Sequence, residues 1–296
     1  MATPPDLFRA AYIKASETSG GTPSPYVLEQ CDPEASSGDR LECGGNARGL
    51  HPRPTSADAC NIATALGEGH PFVHVDLSSC QLGSESASAL ASVLRADTII
   101  EVLNLSNNDF STKDAGLLCK AIAVNPTLHE LCLGGNGIGS EGGMAVADLL
   151  QKNSVLTVLR LGNCGLDTRA IVAISTTLRT NTSLQQLDIS RPLLTSPQMQ
   201  EAVDHLSRAL AVNGSLTHLD LSKCGVRDKG LSMVASALSK AGSRSCLATL
   251  KLRCNEIQLA DDEAVGALND LLSSFTCPLR SLDLNANRLQ ASIYLS

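Results

Sequence analysis

The sequence predicts an α/β solenoid of horseshoe type, with parallel strands on its concave face and helices on its convex face. Three observations carry that prediction. A pattern L-x-x-L-x-L-x-x-[N/C]-x-[L/I/V] opens at Phe72, Ile100, Leu128, Leu156, Leu184, Leu216, Leu247 and Leu279. Successive openings lie 28, 28, 28, 28, 32, 31 and 32 residues apart, enough for one short strand and one helix. Within each repeat the apolar spacing changes from alternate residues to every third or fourth residue, the switch from strand to helix. One such layer cannot bury its own apolar face, so layers stack. The expected organisation is an N-terminal helix and irregular connector over residues 1–37, then a repeat domain over 38–296. That domain holds about nine repeats, the last incomplete.

The elements follow in order. Residues 5–16 predict an amphipathic helix with Leu7, Phe8, Ala11 and Tyr12 on one side, and residues 17–40 are Gly/Pro/Ser/Thr-rich and predict a connector. Leu41, Cys43 and Asn46 occupy positions four, six and nine of a first repeat, whose helix runs from Thr55 to about Gly67, capped by Ser56 or Thr55. In a clear repeat, Ile100, Leu103 and Leu105 bury one face of a strand, Asn108 closes it, and Phe110 turns back inside. Ala115, Leu118 and Ile122 then pack a helix behind the strand, and Asn125-Pro126 ends it. Asp97, Asn125, Asn153, Asn181 and Asn213 recur at that helix-end position, where their tolerance of positive φ predicts a left-handed residue.

The ninth position reads Cys80, Asn108, Asn136, Cys164, Pro192, Cys224, Asn255 and Asn287. An inward side chain there predicts hydrogen bonds to buried backbone groups of the turn, with Cys standing in as a small hydrophobe and weak donor. Pro192 offers neither a donor side chain nor an N–H, which predicts a local change of curvature or an exposed bulge in its layer. Ser196-Pro197 follows as N-cap and first helical residue. Cys80, Cys164 and Cys224 sit in different layers, so they do not form a metal site. The eleven cysteines are odd in number and include no C-x-x-C pair, which favours free thiols in a reducing compartment. Cys31 and Cys132 are expected to be more accessible than Cys80 or Cys164.

Composition narrows the function. Aromatic residues are 2% of the chain against 43% hydrophobic, which suits thin aliphatic layers. A net charge of -7 with 23 Lys and Arg argues against phosphate-driven nucleic-acid binding. No apolar run reaches the length of a membrane span, and MATPPDLFRA reads as no signal peptide. Gly137, Gly139 and Gly142 spell G-x-G-x-x-G, but repeat phase explains them as the strand–helix loop, and no acidic residue closes the next strand. His70 and His74 straddle a turn and a strand and read as ordinary solvated or partly buried residues. No P-loop, nucleophile elbow or distinctive carboxylate pair occurs. The expectation is a non-enzymatic protein with no cofactor and no metal.

These layers resemble the ribonuclease-inhibitor-like subfamily of leucine-rich repeats. The motif that carries the resemblance is N-x-[I/L]-G-x-x-G, intact at Asn136, Ile138, Gly139 and Gly142, and it covers roughly residues 38–296. The front end, PYVLEQ (residues 25–30) followed by LECGGN, is also similar to the group of leucine-rich repeat-containing protein 34 and its relatives in flagellated organisms. The subfamily resemblance implies protein–protein binding, often on the concave strand face.

On that face, positions three, five, seven and eight point outward. The expected partner-binding residues are Asp76, Asn104, Glu130, Arg160, Asp188, Asp220, Lys251, Arg253 and Asp283. Their mixed charge favours one polar protein partner. The expected role is an interaction or scaffold module in the cytoplasm, built into a large assembly such as the axoneme of a cilium or flagellum. The alternative is an enzyme regulator, a GTPase-activating protein or inhibitor of the ribonuclease-inhibitor-like class. GTPase-activating proteins of the Ran type carry an acidic tail that NANRLQASIYLS does not resemble. The last repeat opens at Leu279 with no full helix behind it, so another protein is expected to cover the C-terminal edge.

Overall fold

The structure, a computed structural model, describes residues 4–32, 38–44, 54–194 and 196–290. The chain divides into two compact units, residues 1–138 and 139–296.

The first unit opens with α1 (Pro4–Thr18) and α2 (Pro25–Glu29). Then β1 (Arg40–Glu42), α3 (Ser56–Glu68), β2 (His74–Asp76), α4 (Ser84–Leu94), β3 (Val102–Asn104), α5 (Thr112–Ile122) and β4 (Glu130–Cys132) alternate. The four strands pair in parallel and in sequence order, each layer meeting the next at the same repeat position: Leu41 opposite Val75, Val75 opposite Leu103, and Leu103 opposite Leu131. Positions four and six of these layers are buried. Helix α1 packs against α3 like the helix of one more layer. Its buried face is Phe8, Tyr12 and Ser16, one turn apart, while Leu7 points to solvent. Phe8 meets Phe72 edge-on at 4.9 Å between ring centroids. The Tyr12 hydroxyl donates to Asp58 at 3.1 Å and accepts from the Ser24 amide, so one side chain ties α1, α3 and the connector together. The stretch 17–40 is not wholly irregular, because α2 buries Tyr26 and Val27. Thr55 is the cap of α3, exchanging hydrogen bonds with Asp58 in a capping box. Asn46 lies outside the described residues.

The second unit runs α6 (Gly139–Lys152), β5 (Val158–Arg160), α7 (Thr168–Leu178), β6 (Gln186–Asp188), α8 (Ser196–Leu210), β7 (His218–Asp220), α9 (Asp228–Ala241), β8 (Thr249–Lys251), α10 (Asp262–Leu272) and β9 (Ser281–Asp283). Its five strands are again parallel and in register, and the register absorbs the change from 28 to 32 residues per repeat. The added residues lie outside the strands, so they do not shift the inward leucines. Gly143 is held by close helix packing: a Cβ there would collide with Ala170 of α7.

The ninth-position side chains act as expected. Asn108 Oδ1 accepts the Cys80 and Leu82 amides at 2.9 and 3.1 Å, while its Nδ2 donates to the Leu77 and Leu105 carbonyls, each at 2.9 Å. Asn255 repeats this in the second unit, accepting from Cys224 and Val226 and donating to Leu221. Cys80 Sγ donates to the Cys43 carbonyl, and Cys224 Sγ to Ile189, which replaces only the donor half of Asn. Beside Pro192, Leu193 stands 77% exposed.

One expectation is corrected here. The Asn series at the helix ends is not left-handed. Asn125 Nδ2 donates to the Leu94 and Asp97 carbonyls of the layer before, and its Oδ1 accepts the Thr127 and Leu128 amides. Asn213 does the same with Leu178, Asn181, Ser215 and Leu216. These residues satisfy exposed helix-end carbonyls and open the next strand as Asx turns. Positive φ falls instead at position eight, at Ser79, Asn107, Gly135, Asn163, Arg191, Lys223, Cys254 and Ala286, where each strand reverses into its loop. The thiols follow the expected order, but all four named ones are buried. Cys31 and Cys132 are 6% and 7% exposed against 0% for Cys80 and Cys164, whereas Cys246 is exposed. Burial, opposed by the charge of Arg9, pushes the Cys31 thiol up to about 11.

Candidate functional site

The strand face is built by position five, the last residue of each strand, whose side chain lies opposite the buried leucines. In the first unit it presents Asp76 and Asn104, with Glu130 at repeat position three, the first residue of β4; all three are half-buried. Asn104 Nδ2 donates to Asp76 Oδ2 at 2.9 Å, and Glu130 pairs in register with Val102 rather than with either of them. In the second unit Arg160, Asp188, Asp220, Lys251 and Asp283 occupy five consecutive rungs, each opposite the next. Arg160 and Lys251 are exposed and the three aspartates half-buried. Lys251 Nζ lies 3.5 Å from Asp220 Oδ2 with its side chain 53% exposed, so the pair contributes little to stability. Arg253, two residues past Lys251, is exposed beyond the end of β8. A shallow concavity of about 130 Å³ lies over β5–β8, lined by Arg160, Gln186, Asp188, His218, Asp220 and Lys251.

Most of these acidic and amide side chains have a second role that the sequence reading missed. Asp76 Oδ1 accepts the Ser78 amide, Asn104 Oδ1 that of Ser106, Asp188 Oδ1 that of Ser190, Asp220 Oδ1 that of Ser222 and Asp283 Oδ1 that of Asn285, at 2.8–3.1 Å. Each is an Asx turn that closes its own strand. The signal is legible afterwards as [D/N]-x-[S/N] at positions five to seven. The consequence for binding is rigidity: one oxygen of each carboxylate is tied to backbone, and the other is held at a set place on its rung.

His70 also differs from its expectation of an ordinary residue. Its side chain is 1% exposed and its Nε2 lies 2.7 Å from Asp97 Oδ2. Nδ1 accepts the Phe72 amide at 3.0 Å, so the neutral ring carries its proton on Nε2 and donates to Asp97. Asp97 occupies the place that Asn fills in later layers and has no N–H to offer; the imidazole supplies the donor. Burial raises the Asp97 carboxyl, but hydrogen bonds from His70 and from the Ile99 and Ile100 amides outweigh it and hold it below the usual range. The pair floors a groove of about 600 Å³ between α3 and α4, lined largely by Ala63, Gly67, Ala89, Val93 and Ala96. Small side chains make that groove, and Thr64, Glu68 and Thr98 also line it. Among the described residues, no group of three or more His, Cys, Asp or Glu is placed to hold a metal ion, and no described helix is long and apolar enough to cross a membrane.

Models of a leucine-rich repeat match the chain at residues 70–91, 124–147 and 212–235, and a second leucine-rich-repeat model matches at 100–121. The fold is a leucine-rich-repeat solenoid. Every matched segment contains one strand with its ninth-position residue or the loop that leads into it, so the matches follow the hydrogen-bonded ladder. No curated protein matches the sequence. Among solved structures, leiomodin-1 actin-binding site 2 aligns with 23% identity over 47% of this chain and 80% of its own, at a TM-score of 0.40. The tropomodulin C-terminal domain of Caenorhabditis elegans aligns with 16% identity over 52% of this chain and 92% of its own, at a TM-score of 0.44. These are partial likenesses of fold and say nothing of this chain's partners.

Proposed function

We propose that this chain is a non-enzymatic interaction module whose strand face binds a protein partner. The observation that supports this best is the row from Arg160 to Asp283, where five charged side chains of both signs stand on consecutive rungs. Three of them are anchored by their own backbone, so a partner meets charges already in place and little side-chain freedom is lost on binding. A scaffold role in a large assembly such as a ciliary axoneme is the finer form of this reading; it rests on the front-end resemblance at residues 25–30 and 41–46. The alternative, an enzyme regulator, is separated from it by a GTP-hydrolysis assay, in which a regulator accelerates turnover of its GTPase and a scaffold does not. Leu282 and Leu284 are half-buried and Leu289 is 46% exposed, and covering of this C-terminal edge by another protein belongs to the same proposal.

The test is affinity capture with the full chain and with an Arg160→Ala/Asp188→Ala/Asp220→Ala variant. Partners should be lost from the variant and retained by a chain altered only on the helix side, for example at exposed Val124. Recovery of every partner by the strand-face variant would remove this surface from consideration.

A further inference from the structure

We infer that the loop rim beyond β6, β7 and β8 is a docking site for an acidic segment of a protein partner, one that lays a short run of carboxylates across Arg191, Lys223 and Arg253. This site lies past the strand ends, apart from the row that begins at Arg160, and does not depend on it. The three cations occupy consecutive layers. The Arg191 amide donates to the Ser222 carbonyl at 3.0 Å and the Lys223 amide to the Arg253 carbonyl at 2.8 Å. Their backbones therefore sit on adjacent rungs, about 4.8 Å apart and about 10 Å from first to last. All three residues are exposed. Among the described residues none of them forms an ion pair, whereas Arg169, Arg208, Arg227 and Lys251 of the same unit each meet a carboxylate. Glu256, the acid nearest to Arg253 along the chain, is already held by Arg227 at 3.0 Å.

The backbone sets these cations apart from an ordinary solvated surface. Arg191 and Lys223 hold the left-handed conformation at position eight, with φ of 54° and 58°. That conformation is strained for residues other than Gly, Asn and Asp. The three preceding layers place Asn107, Gly135 and Asn163 there, all of them tolerant types. Two adjacent layers thus carry long cations where Asn or Gly would sit more easily. A strained residue whose side chain has no partner in its own fold points to a partner outside it. In a chain of net charge -7, three cations cover too few phosphates to hold a nucleic acid. Asp188 and Asp220, just upstream of Arg191 and Lys223 on the strands, also repel a long polyanion. A few carboxylates on a protein segment match the row in both charge and length.

The experiment follows binding of two labelled peptides to the full chain by fluorescence anisotropy at low salt, each of about 12 residues and longer than the row when extended. One is rich in Glu and Asp, and the other has Gln and Asn in their place. The acidic peptide should bind at least about tenfold more tightly, and added salt should weaken it. Arg191→Asn with Lys223→Asn should lower its affinity at least about fivefold. The melting temperature of that variant should be equal or higher, because Asn suits the left-handed backbone. Arg169→Gln with Arg208→Gln removes the same charge from the helix side and should change affinity by less than about twofold. Equal binding of the two peptides, binding of neither, equal losses from both variant pairs, or a lower melting temperature for the Asn pair would overturn the inference. A single-stranded oligonucleotide of the same net charge should bind more weakly than the acidic peptide; equal or tighter binding would make the rim a nucleic-acid site and overturn it as well.

Discussion

Asn108→Ala should be among the most damaging polar substitutions in the first unit, and the structure says by how much. The side chain accepts two amides and donates to two carbonyls at 2.9–3.1 Å, with a longer contact to the Ser106 carbonyl at 3.4 Å. Truncation leaves the Cys80 and Leu82 amides buried without an acceptor, at about 1–3 kcal/mol each. The two carbonyls lose one partner but keep lone pairs for others, so the whole should come to about 3–5 kcal/mol. Asn108→Cys separates the two halves of the role. Cys80 and Cys224 show that a thiol at this position donates to the strand carbonyls, so the cysteine variant should recover roughly a third of the loss and leave the amides orphaned. The assay is urea unfolding of the full chain by circular dichroism, paired with amide exchange at Cys80 and Leu82. Both amides should exchange faster in both variants. A loss below about 1 kcal/mol for the alanine variant, or unchanged exchange at those amides, would refute the ladder as the device that closes each layer.

Three further outcomes follow. Leu161→Ala should cost about 2–5 kcal/mol by opening a cavity under a fully buried side chain, whereas Arg160→Ala, its exposed neighbour, should change stability by less than about 0.5 kcal/mol; thermal and urea melts of the pair decide it. Burial raises the Asp228 carboxyl, but the amides of Gln258, Leu259, Ala260 and Asp261 outweigh it and hold its pKa low. Its contribution is therefore present in full above the unfolded value near about 3.9 and is lost as pH falls through the lower folded value. Asp228→Asn should be less stable than the parent at neutral pH and converge with it under acid, and a gap that widens on acidification would contradict this. Alkylation of the native chain, followed by mass spectrometry, should label Cys246 first, then Cys60, Cys254 and Cys277, with Cys43, Cys80 and Cys164 last; early labelling of Cys80 would show the ladder open.

What the sequence determined by itself was the layer. The leucine spacing carries register, because an outward residue between two buried leucines cannot change sides without exposing both. The pattern alone thus places Asp188, Asp220 and Lys251 on one face. The ladder was legible for a similar reason, since a buried turn demands a donor and acceptor and Asn at position nine is one of few residues that supplies both. Whatever depended on where a side chain turns after leaving the backbone was decided only by tertiary structure. By its type Asn125 serves equally well as a left-handed residue; only the Leu94 and Asp97 carbonyls of the preceding layer, brought within 2.7 and 3.0 Å, make it a cap. His70 looked ordinary because its acceptor, Asp97, is 27 residues away and reaches it only when two layers stack. The burial of Cys31 and Cys132, and the doubled role of Asp188 and Asp220 as strand closures and surface charges, belong to the same class. Periodicity fixes which face a residue is on, and packing between layers decides what it touches there.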